Sequence, residues 1–227
     1  VTGTSGLTIS ALNADVTSID ASTKLAGGVV QTGRSSTAAA NYKGGAGADT
    51  FMMTNMSDTL TGGAGADTLN IDFNAVLGGI NVDLSNATNQ IVTANGGAIS
   101  GSVTGFENVL LDGYTGAYGA MITAAATGSS ITGTPQADQI NGGAKADVVT
   151  SQTGTSVKDV ISLGGGDDTV IITQATLADN SSAAQTQTLT FGGGTGDKLK
   201  MATAGAIVDA DLIQMTGVEI LELANGN

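Results

Sequence analysis

The sequence predicts an all-β fold, a right-handed parallel β-roll or β-helix in which short strands stack into a solenoid that β spacer segments interrupt. Glycine supplies 35 of the 227 residues, whereas there is one proline, no tryptophan and only 3% aromatic residues. A compact core of aromatic side chains is therefore not expected. A nine-residue pattern also recurs along the chain, and its large apolar position is never polar. A long, thin core of Leu, Ile and Val, shared between stacked coils, suits both observations.

The repeated pattern is Gly-Gly-x-Gly-x-Asp-x-U-x, in which U is a large apolar residue. It is clearest over residues 44–70, where Asp49, Asp58 and Asp67 follow one another at nine-residue spacing. Glycine tolerates the positive φ angles that a six-residue turn requires, and the remaining three residues suffice only for a strand. Two nonapeptides then make one coil, so equivalent residues of successive coils lie one strand spacing apart, about 4.7–4.9 Å.

Five further copies follow, and their sixth residues are Asp138, Asp147, Asp159, Asp168 and Asp197. The U positions of all eight copies are apolar, which would be about a one-in-a-thousand coincidence in a chain of this composition. These positions are Phe51, Leu60, Leu69, Ile140, Val149, Ile161, Val170 and Leu199.

Stacked aspartate turns predict calcium as the cofactor. Calcium–oxygen distances are about 2.3–2.6 Å, so one ion fits between two turns, and Asp49 and Asp67 are expected to share one. Eight of the seventeen aspartates occupy one repeat position, which solubility alone does not explain. A degenerate copy over residues 35–43 has Ala40 at that position and Tyr42 at U. The site of Asp58, which needs a partner there, is therefore expected to be incomplete or empty.

Composition argues against several function classes. The formal charge is −13, whereas nucleic-acid binding needs basic patches, so we expect no nucleic-acid partner. No stretch approaches the roughly 20 apolar residues of a membrane helix, so no membrane insertion is expected. Histidine and cysteine are absent, which removes zinc sites, Ser-His-Asp triads and thiol nucleophiles. We predict a protein that is not an enzyme; a glycosidase with two carboxylates stays formally open.

The pattern divides the chain into five parts. They are calcium-poor β segments (1–43), a first calcium repeat block (44–70), a β spacer (71–132), a second block (133–200) with a loop at 172–188, and a closing β segment (201–227). One short helical turn is expected within Ala175 to Ala184. The segments Gly105 to Gly113 and Gly217 to Gly226 share a pattern, and each follows a calcium block, so the chain reads as two copies of one module.

These residues resemble the RTX (repeats-in-toxin, hemolysin-type) family of calcium-binding repeats. The resemblance covers residues 44–70 and 133–200. The spacer adds to it, because Ile80 to Leu84 followed by Gly105 to Val109 is similar to the V-x-V-D-L … G-x-E-N-V spacing between such repeats. Within the family, the Ala/Thr/Ser/Gly-rich segments over 1–43 and the absence of a catalytic region are most similar to bacterial surface-layer (S-layer) proteins.

The resemblance implies a ligand set for each stacked pair. The earlier turn supplies its first and third carbonyls and its aspartate, and the later turn supplies its second and fourth carbonyls and its aspartate. The implied sets are Gly44, Ala46 and Asp49 with Gly63, Gly65 and Asp67; Gly142, Ala144 and Asp147 with Gly164, Gly166 and Asp168; Gly133, Pro135 and Asp138 with Thr155, Val157 and Asp159; and Gly154, Ser156 and Asp159 with Gly193, Thr195 and Asp197, if the loop leaves the stack unbroken.

The expected function is that of a structural, calcium-dependent cell-surface protein, a segment of a self-assembling S-layer-type lattice. Its expected partners are copies of itself, with cell-surface polysaccharide as a further candidate. An extracellular location on a bacterial surface, reached by type I secretion, follows from the resemblance. The alternatives are a non-catalytic RTX tail of a secreted lipase, protease or toxin, or an RTX adhesin. A tail would be one continuous repeat block, whereas this chain interrupts its repeats with spacers, which favours the structural role.

Overall fold

The computed structural model describes residues 5–13, 15–23, 26–34, 38–72, 78–152, 158–178 and 187–225, and they form a solenoid of short β-strands. A five-residue helix, α1 (Gln174–Ala178), and a 3₁₀ helix (Asp209–Leu212) accompany them. The strands are β1 (Leu7–Ile9), β2 (Ser18–Asp20), β3 (Val29–Gln31), β4 (Asn41–Lys43), β5 (Thr50–Met53), β6 (Thr59–Thr61), β7 (Thr68–Ile71), β8 (Ile80–Asp83), β9 (Ile91–Ala94), β10 (Ser102–Thr104), β11 (Asn108–Leu110), β12 (Ala120–Thr123), β13 (Ser130–Thr132), β14 (Gln139–Asn141), β15 (Val148–Thr150), β16 (Val160–Ser162), β17 (Thr169–Ile172), β18 (Thr188–Thr190), β19 (Lys198–Met201), β20 (Met215–Thr216) and β21 (Ile220–Glu222).

The strands alternate between two faces. One face is a ten-stranded parallel sheet in the order β1-β3-β5-β7-β11-β13-β15-β17-β19-β21. The other face carries a four-stranded sheet, β2-β4-β6-β10, and a seven-stranded sheet, β9-β8-β12-β14-β16-β18-β20. Long parallel sheets of short strands confirm the predicted all-β solenoid. The pairing of Thr50 with Thr68 and of Met121 with Gln139 shows the eighteen-residue coil.

The core is the predicted column of apolar side chains. All eight U residues are buried, with at most 1% of their surface exposed, and Tyr42 of the degenerate copy is buried as well. Tyr42, Phe51 and Phe106 pack in a row, with ring centroids 5.7 and 6.5 Å apart. In this row, aromatic side chains of neighbouring segments contact one another inside the solenoid.

The spacer leaves the simple coil pattern. After β7 the chain crosses to the seven-stranded sheet as β8, reverses into β9, and then returns as β10 beside β6. The β8–β9 pair is antiparallel, unlike every other strand pair in the described residues. The reversal is built from side-chain turns: Asp83 Oδ1 accepts the Ser85 N–H at 3.0 Å, and Asn86 Oδ1 accepts the Thr88 N–H at 2.9 Å. Such local bonds favour turns over a continuing strand.

The helical turn expected within Ala175 to Ala184 is present as α1. Residues 179–186 of the predicted loop lie outside the described residues. None of the described helices is long and apolar enough to cross a bilayer.

A buried glutamine links two segments of the spacer. Gln90 Nε2 donates to the carbonyls of Leu84 (2.9 Å) and Phe106 (2.7 Å), and its Oε1 accepts the Phe106 N–H at 3.0 Å. Gln90 is 3% exposed, so no solvent replaces these bonds if the amide is lost. Gln90 therefore ties the Leu84 and Phe106 segments to each other, alongside the neighbouring bond from the Val103 N–H to Asn89 Oδ1 at 3.0 Å.

We expect Gln90→Leu to destabilise the chain by about 3 kcal/mol or more, because it leaves three buried backbone groups without partners, each costing about 1–3 kcal/mol. Urea unfolding followed by circular dichroism measures the change. Gln139→Leu, at an exposed position of β14, is the matched control and should change stability by less than about 0.5 kcal/mol. Equal effects of the two substitutions would contradict this role for Gln90.

Candidate metal centre

The repeat aspartates lie where each coil turns into a strand. Those preceding strands of the ten-stranded sheet form the first turn edge, and those preceding strands of the other two sheets form the second turn edge. All eight are buried, with 0–3% of their surface exposed. The first turn edge carries Asp49, Asp67, Asp147, Asp168 and Asp197, and the second carries Asp58, Asp138 and Asp159.

Each carboxylate bonds to the preceding coil. Asp67 Oδ1 accepts the Asp49 N–H at 2.7 Å, and Asp168 Oδ1 accepts the Asp147 N–H at 2.7 Å. On the second turn edge, Asp159 Oδ1 accepts the Asp138 N–H at 3.0 Å. The members of the three predicted aspartate pairs are therefore neighbours, one strand spacing apart. Gly154, Thr155, Ser156 and Val157, which were predicted to add carbonyls, lie outside the described residues.

The predicted pairing of Asp159 with Asp197 is wrong. Asp197 Oδ1 accepts the Asp168 N–H at 2.7 Å, and β19 pairs with β17 in the ten-stranded sheet. The segment between β17 and β19 contributes β18 to the opposite sheet, so it completes the coil and returns the chain to the first turn edge. Above Asp159 lies β18, whose Thr188 N–H bonds to the Asp159 carbonyl at 3.0 Å.

In five of the eight aspartates, the second carboxylate oxygen accepts a hydrogen bond from a donor within the protein. The Gly45 N–H donates to Asp49 Oδ2 at 2.8 Å, and the Gly143 N–H donates to Asp147 Oδ2 at 2.9 Å. On the second turn edge, the second oxygen of all three aspartates accepts such a bond. The Thr134 N–H reaches Asp138 Oδ2 at 2.7 Å, the Ser151 hydroxyl reaches Asp159 Oδ2 at 2.5 Å, and the N–H groups of Thr54 and Asn55 reach Asp58 Oδ2 at 3.0 Å.

The other three aspartates keep an open oxygen. Asp67 Oδ2, Asp168 Oδ2 and Asp197 Oδ2 are buried and accept no hydrogen bond from the described residues. All three lie on the first turn edge. A buried, ionised oxygen without a partner is costly, and a bound cation would supply the missing interaction. The donor set therefore fits calcium, which prefers carboxylate and carbonyl oxygens.

Glycines with positive φ shape two of the open turns. Gly63 and Gly65, in the Asp67 turn, have φ of 119° and 140°, and Gly164 and Gly166, in the Asp168 turn, have 88° and 111°. A Cβ on Gly63 would lie 2.3 Å from the Gly45 carbonyl oxygen, so glycine is required for the close approach of the two turns. Among the described residues no three acidic side chains converge on one point, so carbonyls would supply an ion's remaining ligands.

Burial and like charge make these carboxylates hard to ionise without a cation. Burial, followed by the negative charges of Asp49 and Glu107, raises the pKa of Asp67 to about 6. Burial, followed by the neighbouring aspartates, raises the pKa of Asp168 to about 6. On the second turn edge, burial and then the Asp159 charge raise the pKa of Asp138 to about 7.

Asp58 forms a buried ion pair with an arginine side chain of the same chain. Arg34 Nη1 lies 2.9 Å from Asp58 Oδ1, and neither side chain is exposed. The same oxygen accepts the Ala40 N–H at 2.7 Å, and the Arg34 guanidinium lies 5.9 Å from the Tyr42 ring centroid. With two further N–H donors on Oδ2, the Asp58 carboxylate is fully satisfied by the protein.

Sequence reasoning missed Arg34, Glu107 and Glu219. The two glutamates occupy the aspartate position of the coils that follow Asp67 and Asp197, and each accepts the N–H of that aspartate, at 2.9 and 3.0 Å. The shared Gly-x-Glu of Gly105 to Gly113 and Gly217 to Gly226 was the available signal. Nothing local to Arg34 indicates its partner, which is 24 residues away.

Comparisons of this chain with protein-family models, with curated proteins and with solved structures gave no match.

The raised pKa values predict an unusual pH dependence for the calcium-free chain. A carboxyl whose pKa is higher in the folded state stabilises the fold below its unfolded pKa and loses this contribution as pH rises through the folded value. Stability should therefore fall between about pH 4 and 7, as Asp67, Asp168 and Asp138 ionise. Thermal unfolding of decalcified protein from pH 4.5 to 7.5 measures it. Asp67→Asn/Asp168→Asn should flatten the slope, whereas stability that rises with pH in the wild type would contradict the assignment.

Neutralising an aspartate should have opposite effects at the two turn edges. Asp58→Asn leaves Arg34 buried without a counter-ion, which we expect to cost about 3–5 kcal/mol while the number of bound calcium ions stays the same. Asp67→Asn should remove at least one ion and leave the calcium-free stability unchanged or higher. Calorimetric calcium titration and urea unfolding of both variants decide this. Loss of an ion from Asp58→Asn, or none from Asp67→Asn, would reverse the assignment of the edges.

Proposed function

We propose that the chain is a structural, calcium-dependent cell-surface protein, a segment of a self-assembling lattice of the S-layer type. The observation that carries the calcium dependence is the row of three buried carboxylate oxygens without partners at the first turn edge. The nonapeptide resemblance to RTX repeats supports the same ion, because the open oxygens belong to copies of that pattern.

Three pairs of turns at the first edge would hold calcium. Asp49 would act with Asp67, Asp147 with Asp168, and Asp168 with Asp197 in place of the earlier pairing with Asp159. Bound calcium would supply positive charge between stacked carboxylates. The predicted site of Asp138 and Asp159 has less support, because their oxygens already accept protein donors. The carbonyls proposed as further ligands are those of Gly44, Ala46, Gly63, Gly65, Gly142, Ala144, Gly164 and Gly166.

Calcium bound between the turns of the first edge would control the folding of the chain. An ion that binds only the folded chain stabilises it by mass action, and extracellular calcium modules typically bind at about 10⁻⁴–10⁻³ M. Inside a cell, where free calcium is lower, the like charges along the first turn edge would remain unpaired. The ordered solenoid would then form outside the cell, which suits a secreted protein.

The site geometry favours a structural role over a catalytic one. The repeat acids are committed to backbone turns rather than facing each other across a cleft. A shallow cavity of about 560 Å³ on the seven-stranded sheet contains one carboxylate, Asp138, and that carboxylate accepts the N–H groups of Ala120 and Thr134 at 2.7 Å. A two-carboxylate glycosidase mechanism has no pair there.

Self-assembly is proposed from the resemblance to surface-layer proteins. The partners in such a lattice would be copies of the protein itself.

Electron microscopy and analytical ultracentrifugation of the purified chain, with and without millimolar calcium, test assembly. We expect extended assemblies with calcium and dispersed molecules in chelator. Asp67→Asn/Asp168→Asn should remain dispersed in calcium, whereas Asp20→Asn, at an exposed aspartate of β2, should assemble like the wild type. Wild-type protein that folds with calcium but stays monomeric would favour the tail of a secreted lipase, protease or toxin instead.

A further inference from the structure

Two short turns close the repeat blocks in the same way. Gly105-Phe106-Glu107 follows the Asp67 coil, and Gly217-Val218-Glu219 follows the Asp197 coil. Both glycines have positive φ, 73° and 81°. The two turns are 112 positions apart in sequence, so their common geometry is an independent repetition of one structure.

The Glu107 turn has three residues, and it lies beside a turn of six residues that ends at Asp67. The Gly62 N–H bonds to the Thr104 carbonyl at 2.9 Å, and the Asn108 N–H bonds to the Asp67 carbonyl at 2.9 Å, so residues 105–107 lie alongside residues 62–67. Glu107 Oε2 accepts the Asp67 N–H at 2.9 Å. This is the bond that an aspartate makes in the other coils of the first turn edge. The longer glutamate side chain makes it from the shorter turn.

The Glu219 turn repeats these contacts. The Phe191 N–H bonds to the Thr216 carbonyl at 3.0 Å, and the Ile220 N–H bonds to the Asp197 carbonyl at 2.9 Å. Glu219 Oε2 accepts the Asp197 N–H at 3.0 Å. In both places a glutamate carboxylate therefore lies against the last aspartate of a repeat block.

The aspartates next to these glutamates are two of the three with an open, buried oxygen. Asp67 Oδ2 and Asp197 Oδ2 have no partner among the described residues, and both side chains are fully buried. A Cβ placed on Gly62 would lie 1.9 Å from the Gly105 carbonyl oxygen and 2.8 Å from Asp67 Oδ2. The open oxygen and a carbonyl of the Glu107 turn thus face the same small space.

We propose that Glu107 and Glu219 are calcium ligands, each of which holds a terminal ion together with Asp67 or Asp197. The proposal rests on the proposed calcium function and extends it beyond the aspartate repeats. Each site has two carboxylates, as in an aspartate pair, but the short turn offers fewer carbonyls. Calcium normally takes six to eight oxygens, so water completes these sites and the terminal ions bind more weakly than those between two six-residue turns.

Calcium counting on the full chain tests the proposal. We would titrate calcium by calorimetry, with terbium luminescence as a second probe, on Glu107→Gln, Glu219→Gln and the double variant. Glutamine retains an acceptor for the aspartate N–H, and circular dichroism at saturating calcium verifies the fold. Glu222→Gln is the matched control, because Glu222 pairs with Lys198 and Lys200 at 2.9 Å rather than with an aspartate turn.

We expect each single substitution to remove one ion or weaken one site at least tenfold, the double variant to affect two, and Glu222→Gln to match the wild type. Glu219 is exposed, so Glu219→Gln decides the matter if Glu107→Gln fails to fold. Unchanged number and affinity in Glu219→Gln would overturn the terminal sites while leaving the proposed function intact. A wild-type chain that binds no calcium would overturn both.

Discussion

The fold depends on how a column of buried carboxylates is satisfied. A coil that begins each half-turn with aspartate places these groups one strand spacing apart, and the U residues behind them exclude water. The aspartate is structurally useful because one oxygen ties its turn to the backbone of the preceding coil, as Asp67 does with Asp49. The same arrangement leaves a second oxygen that must find a donor or a cation, since an unpaired buried charge is strongly unfavourable.

The chain meets this requirement differently on its two edges. On the second turn edge the protein supplies the partners: Arg34 for Asp58, a backbone N–H for Asp138 and a hydroxyl for Asp159. On the first turn edge, Asp67, Asp168 and Asp197 keep open oxygens. The proposed calcium sites therefore lie on one edge of the solenoid, while the carboxylates of the opposite edge are satisfied by partners within the protein.

The stack of repeating coils could be predicted from the sequence. The regular spacing of glycine, aspartate and U residues is typical of a parallel β-helix, so the parallel coils, the buried U column and the pairing of Asp49 with Asp67 could be predicted. The Asp197 pairing could not, because the number of strands between β17 and β19 is not visible in a polar segment. The segment Gln90 to Thr93 has a strand-like sequence, but the antiparallel direction of β9 was not predicted, since its reversal depends on local bonds made by Asp83 and Asn86. Long-range partners such as Arg34 carry no periodic signal.

The most direct test of the account is a crystal structure of the chain grown with calcium, with ions located by anomalous scattering after exchange for a lanthanide. We expect ions beside Asp67, Asp168 and Asp197 on the first turn edge and none beside Asp58, where Arg34 supplies the positive charge. An ion beside Asp58, or hydrogen-bonded first-edge carboxylates that exclude metal at saturating calcium, would contradict it.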